Sequence, residues 1–324
     1  MSAASRRILL AVPALLAGPV ATRAQPASWA PDRPLRWILG YPPGGGSDLI
    51  ARLLAQSMGG RLGQPVVVEN RPGGGAVLAS EAAARAAPDG HTLFTGDNGI
   101  LVFNPFLYAR LPYDPTRDFR AVGGLARFQL LVLVPEASPI RALSDLRGRA
   151  GLNYGSSGVG SPHHLATARL LREAGAGEAT HIPYRGGAAV MTDLIAGRIE
   201  VALIDTAAAL PQIRDGRIRA IAICSAARLP ALTAVPTAAE AGLEGFTAHA
   251  WQGLVVPTGT PDMAVARLSA ELAAALADPA VLARLQAVGI EPMTLDAASF
   301  TAMLAAERAV WGPLIQQLGV RLDG

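Results

Sequence analysis

Two stretches of the chain place small flexible residues where an apolar run gives way to a helical pattern. They are YPPGGGSDLIARLLAQ (41–56) and NYGSSGVGSPHHLA (153–166). A helix start leaves backbone N–H groups unpaired and carries about half a positive charge. Glycine lets a ligand approach that backbone closely and tolerates positive φ. The chemistry such junctions can do is to hold an anion. The candidate residues are Tyr41, Pro43, Gly44, Gly45 and Ser47 in the first, and Ser156, Ser157, Gly158 and Ser161 in the second. One exposed helix dipole is worth about 0.3–1 kcal/mol and up to ~2 when partly buried. Micromolar affinity needs about 8 kcal/mol. Direct hydrogen bonds and exclusion of water must supply the difference.

Other chemistry finds less support. GGGSD lacks the lysine of a phosphate-binding P-loop, and GSSGVG is neither a dinucleotide fingerprint nor a nucleophile elbow. His163 and His164 are adjacent, so they diverge by about 100° on a helix. They cannot form an i, i+4 metal pair, and no H-E-x-x-H pattern occurs. His164 reads as a first-turn residue that lines a cleft or hydrogen-bonds locally. Asp205 ends a strand in LIDTA, where it either receives an amino or hydroxyl group or caps the next helix. Tyr184 and Arg185 also end a strand, in HIPYRGG. Arg185 either meets an anion or is a solvated surface residue. Cys224, the single cysteine, reads as a small buried residue of a strand. No metal, cofactor or catalytic residue is expected. A serine hydrolase using Ser156, Ser157 or Ser161 with His164 and Asp205 is the rival reading, and it lacks a nucleophile motif.

These junctions need a scaffold, and the alternation of apolar runs and helical patterns supplies one. Strands are predicted at 35–41, 64–70, 91–97, 150–156, 180–184, 199–205 and 218–225, with helices between them. Such a pattern argues for a parallel sheet covered on both faces. The end of the chain, 261–318, reads as two or three helices. Ser161–Pro162 and Thr260–Pro261 pair an N-cap with proline at the first helical position, and Thr237 with Glu240 fits a capping box. Gly175, Gly197 and Gly289 fall where helices should stop. Crossovers near 131–139 and 251–261 divide the chain into lobe 1 (33–133 with 254–324) and lobe 2 (134–253). Two crossings make a hinge, and a ligand then sits between the lobes.

The chain has 324 residues, 51% of them hydrophobic and 16% charged, which argues for a packed core and against disorder. Residues 1–24 read as a secretory signal peptide: Arg6 and Arg7, an apolar stretch, then Thr22 and Ala24 at a small-residue cleavage site. Removing them takes Arg6, Arg7 and Arg23 and no acidic residue. The 28 basic residues fall to 25, against 25 acidic ones, so nucleic-acid binding loses its electrostatic support.

A series of motifs then occurs in a characteristic order: YPPGGGSDLIARLLA, VVVENRPGGG, AAPDGHTLF, LPYDPTRDF, LNYGSSGVGSPHHLA, HIPYRGGAAVMTDLIAGRIE, VPTAAEAG and WQGLVVPTGTP. Over roughly 35–320 the chain resembles the tripartite tricarboxylate transporter receptor family, the Bug-type periplasmic solute-binding proteins. The resemblance implies a two-lobed α/β fold of the periplasmic-binding-protein type (type 2 style), with a central cleft and hinge. It implies a small organic carboxylate held by main-chain amides and waters at Tyr41–Ser47 and from the loop Ser156–Ser161, with Asp205 at a ligand-discriminating position. FTGDNGILVFNPFLY departs from the family pattern. Asp97 and Asn98 fall there as candidate contacts, and the Asp97 carboxylate would repel an anion unless it faces away or meets an ammonium. The expected protein is a monomeric periplasmic binding protein that delivers its ligand to membrane transporter subunits. Presentation of the ligand to a sensor kinase is the alternative.

Overall fold

A computed structural model describes residues 29–322. The expected signal peptide, 1–24, lies outside the described residues. The first half-sheet is built from β1 (Leu35–Leu39), α1 (Gly46–Leu62), β2 (Val66–Asn70), α2 (Val77–Ala84) and β3 (Thr92–Asp97). A wide helical turn at Gly99–Phe103 leads into the short α3 (Asn104–Leu107), and then comes β4 (Phe119–Pro135). The second half-sheet follows as β5 (Leu152–Ser156), α4 (Pro162–Glu173), β6 (Ala179–Pro183), α5 (Gly187–Ile195), β7 (Val201–Asp205), α6 (Thr206–Arg214) and β8 (Ile218–Ile223). The chain returns through β9 (His249–Pro257) and finishes with α7 (Asp262–Leu276), α8 (Pro279–Ala287), β10 (Glu291–Pro292) and α9 (Ala297–Leu318).

Strand order is β2-β1-β3-β9-β4-β7-β5-β6, with β8 and β10 also on β4. The β2–β1–β3 and β6–β5–β7 groups are parallel, as the alternation predicts. The sheet as a whole is mixed, because β4 and β9 carry the chain between halves and pair antiparallel with their neighbours. β4 belongs to both halves. Its first part runs against β9 as far as Gln129↔His249, and from Leu130↔Asp205 onward it runs against β7 and β8. Cys224 joins the two crossings: its N–H donates to the Leu130 carbonyl at 2.9 Å, and its carbonyl accepts from Ala248 at 2.8 Å. The cysteine is the buried residue expected, and burial pushes its thiol up to about 12. Pairing therefore changes hands at Gln129/Leu130 and at Ala248/His249, a few residues before the expected crossovers. The apolar run of β4 continues past its change of partner, so hydropathy alone does not mark the point.

The helix punctuation is partly as expected. The Ser161 hydroxyl accepts from His164 N–H at 3.2 Å and caps α4. Gly175, Gly197 and Gly289 each sit just beyond a helix at φ near +70°. Thr237 and Glu240 exchange both capping-box bonds, at 2.8 and 3.1 Å, but close a turn rather than open a helix, because Gly242 follows at φ +100°. Thr260 does not cap α7: its hydroxyl donates to the Pro257 carbonyl, and Pro261 occupies the cap position.

Glycines in the strands record how closely the layers approach. A Cβ at Gly253 in β9 would overlap the buried Phe300 ring of α9. Gly60, exposed within α1, has open space around it. Gly253→Ala is expected to cost about 1–3 kcal/mol by overpacking. Gly60→Ala is expected to gain about 0.5–1 kcal/mol through helix propensity. Denaturant melts of both variants check the contrast.

Candidate functional site

The first glycine-rich junction leaves β1 at Gly40 and enters α1 at Gly45, its N-cap, which offers no side chain to the free N–H groups. The loop is held from beneath. Asp48 accepts from Gly44 N–H at 3.0 Å, from Arg52 Nε at 2.9 Å and from Asn70 Nδ2 at 2.9 Å, and Asn70 also donates to the Tyr41 carbonyl. The Arg52 hydrogen bond, first among these, holds the Asp48 carboxyl near 2 against the opposing effect of burial. The carboxylate is thus spent on shaping the loop, while Gly45, Gly46 and Ser47 face inward.

They face a cavity of about 790 Å³ between the two half-sheets. The N-terminal ends of α1, α4, α5 and α6 reach it through Gly46 and Ser47, Pro162 and His163, Gly187 and Ala188, and Ala207 and Ala208, and Asn104 at the start of the short α3 lines it as well. Ser161 caps α4 and Asp205 caps α6, the latter accepting from Ala208 N–H at 3.1 Å. α1 and α5 begin instead at Gly45 and Gly186, and neither start has a side-chain cap. Two sets of unclaimed donors therefore point into one space, one from each half of the fold.

The wall beside α1 is polar and tightly bonded. Asp97, at the end of β3, accepts from the Tyr41 hydroxyl and, at 2.9 Å, from Ile100 N–H. Burial raises its carboxyl, and the Tyr41 bond opposes that. Burial, then the Asp97 charge, pushes the Tyr41 phenol up. Asn98 accepts from Trp251 N–H at 2.8 Å and so ties β3 to the start of β9. Gln252 Nε2 donates to Ser47 Oγ.

On the opposite wall Ser157 Oγ lies 2.6 Å from His163 Nδ1, and His163 Nε2 is 3.8 Å from Asp205 Oδ2. Burial lowers His163, partly offset by Asp205. Asp205 takes the capping role, accepting with Oδ1 at the start of α6, and it also lines the cavity.

Of the sequence candidates, Tyr41, Gly45, Ser47, Asp97, Asn98, Ser157, Gly158, Ser161 and Asp205 line the cavity. Six do not. Pro43 and Gly44 sit outside, with Gly44 in an adjoining depression of about 560 Å³ that shares Gly45, Gly46 and Ala207 with the cavity. Ser156 turns inward, its hydroxyl 2.7 Å from His181 Nε2. His164 accepts from Gly160 N–H at 3.0 Å and stacks on His181 with ring centroids 3.7 Å apart, so it takes the local bond rather than the cleft. Tyr184 donates to Asp193, and Arg185 is exposed. The residues missed are their neighbours: His163 beside His164, Gly187 and Ala188 beyond Arg185, and Gln252 in WQGL. A polar glutamine inside an apolar strand was the available signal for the last.

The profile of the tripartite tricarboxylate transporter family receptor matches residues 50–320. A UPF0065 protein in the tcbD–tcbE intergenic region of Pseudomonas sp. (strain P51) is 39% identical over 292 residues, covering 88% of this chain and 86% of that one. The structure of R. palustris Rpa4515 with adipate superposes with a TM-score of 0.81 at 32% identity, over 91% of this chain and 99% of that one. The periplasmic binding protein BugD does so with a TM-score of 0.78 at 30% identity, over 91% and 100%. These likenesses give the two-lobed fold.

The stacked histidines behind the second wall predict a pH effect. Burial lowers His164 to about 3, helped by His181, and lowers His181 to about 4. In the unfolded chain both titrate near 6.5. Below that pH the unfolded state binds protons that the native state excludes, so stability is full above about 6.5 and falls as pH drops toward 4. Each histidine contributes up to ~1.4 kcal/mol per pH unit. Urea melts between pH 7 and 4.5 are expected to show a shallower decline in His181→Phe than in the parent, and equal slopes would refute the assignment.

Proposed function

The chain belongs to the tripartite tricarboxylate transporter receptor family, and from that premise we propose that it captures a small organic carboxylate between its lobes and hands it to a membrane transporter. The observation that carries the site assignment is the pair of uncapped helix starts, Gly45–Ser47 and Gly186–Ala188, bordering one cavity. Their N–H groups are aimed before any ligand arrives, so binding an anion requires little rearrangement of either lobe. Each lobe alone offers half of the donors. A ligand that needs both sets stabilises the closed form over the open one, and that differential affinity drives closure. Closure bends the chain where β4 changes partner and where β9 begins, so we place the lobe division at Gln129/Leu130 and Ala248/His249.

The family is one of receptors, and we read the chain as having no catalytic chemistry. Ser157, His163 and Asp205 fall in a row, but the 3.8 Å His163–Asp205 separation is too long for a hydrogen bond and the carboxylate already caps α6. Its relatives include proteins described as periplasmic, so we assign this chain to the periplasm, exported on residues 1–24. A transporter would then read the closed form.

Gly45→Val tests the site. Gly45 has φ −82° and ψ 173°, which valine adopts freely, and nothing lies within 4 Å of a Cβ there. Stability should change by no more than about 1 kcal/mol, the ordinary scale of a cap substitution. Affinity for whichever acid binds should fall at least about tenfold, since charged hydrogen bonds to the amides are blocked. Unchanged affinity by calorimetry would count against a carboxylate at the α1 start.

A further inference from the structure

Among the described residues, the formal side-chain charge lining the cavity is all of one sign. Asp97 and Asp205 line it, no arginine does, and the chain contains no lysine. Arg52 and Arg284 are not in its lining but border the adjoining depression that shares Gly45 and Gly46 with it, and Arg52 is already engaged by Asp48 and Asn70. His163, the basic group on the wall, is held toward its neutral form by burial.

Asp97 is only 6% exposed. Its donors, the Tyr41 hydroxyl and the Ile100 and Gly99 N–H groups, are all neutral, and no ion pair reaches it among the described residues. Gln252, its direct cross-strand partner, is 5% exposed. The amide nitrogen of Gln252 is committed to Ser47, and its Oε1 is buried with no hydrogen-bond partner among the described residues. A buried carboxylate without a counter-charge and a buried carbonyl without a donor are each costly. Both are acceptors, and they sit side by side on the wall adjoining the α1 start. A second ligand carboxylate placed there would meet Asp97 at low dielectric and be repelled. A hydroxyl would bring one donor and no charge. A protonated amine brings three donors and the missing positive charge.

We propose that the ligand is a zwitterion, its carboxylate taken by the uncapped helix starts and its protonated amine by Asp97 and Gln252. This rests on the carboxylate reading above and narrows it to amino acids or amino-substituted acids. It also separates this chain from the relative seen with adipate, a dicarboxylate.

Two matched series test it by calorimetry on the purified protein: succinate, malate and aspartate; and hexanoate, adipate and 6-aminohexanoate. In at least one series the amino member should bind about tenfold or more tightly than its partners, the scale of one charged hydrogen-bonded contact. Asp97→Asn should abolish that preference while leaving the non-amino acids bound as well or better. If Asp97→Asn fails to fold, the ranking in the unaltered protein decides. Acids that bind with no preference for the amine, or a preference that survives Asp97→Asn, would overturn the zwitterion while leaving the carboxylate reading intact. Silence of all six toward the folded protein would overturn the carboxylate reading and this inference with it.

Discussion

The structure depends on hydrogen-bond donors that the chain leaves unclaimed. Backbone N–H groups at a helix start are ordinarily taken by a capping side chain, as Ser161 and Asp205 do for α4 and α6. At α1 and α5 the cap positions are Gly45 and Gly186, which have nothing to offer. Leaving such donors open costs little while water reaches them and becomes favourable once an anion takes its place. The rest of the local sequence keeps them in position. Asp48, Arg52 and Asn70 fix the loop from below, so the acidic residue closest to the α1 start stabilises the loop instead of filling the site.

The sheet makes the two sets of donors face one another. β4 runs unbroken from one half to the other and exchanges β9 for β7 and β8 along its length. The C-terminal ends of β1 and β3 on one side, and of β5 and β7 on the other, therefore meet across a narrow seam. Helices α1, α4, α5 and α6 start at that seam. Few side-chain hydrogen bonds cross it among the described residues: Thr206 Oγ1 donates to the Gly289 carbonyl at 2.9 Å, and Arg172 Nη1 donates to Gln317 Oε1 at 3.3 Å. Two chain crossings joined through Cys224 and a thin set of side-chain bridges are what a hinge requires.

Much of this is written in the sequence in physical terms. The strand–helix alternation, the Ser161–Pro162 cap and the stop glycines are local signals, and local hydrogen bonding decides them. The first part of β4 was hidden because Gly123 and Gly124 interrupt its apolar run. They are there because a Cβ would press on the Leu295 and Met293 carbonyls, at 2.7 and 2.5 Å, a tertiary reason that hydropathy does not carry. The site shows the same division. The α1 start is legible because its glycines are consecutive, whereas the α5 start is masked by Tyr184 and Arg185, whose chemistry attracts notice but whose side chains point elsewhere. His163 and His164 differ by one residue, and which faces the cavity is settled by stacking on His181, a residue of another strand. Gln252 and Asp97 become meaningful only when β3 and β9 are laid side by side.

Amide chemical shifts test the central arrangement most directly. In the 15N-labelled protein titrated with the tightest-binding acid of the two series, the largest shifts should fall together on Gly45, Gly46 and Ser47 and on Gly187 and Ala188. The same midpoint should govern both groups, because one molecule bridges them. Shifts confined to one lobe, or concentrated away from both helix starts, would contradict the account.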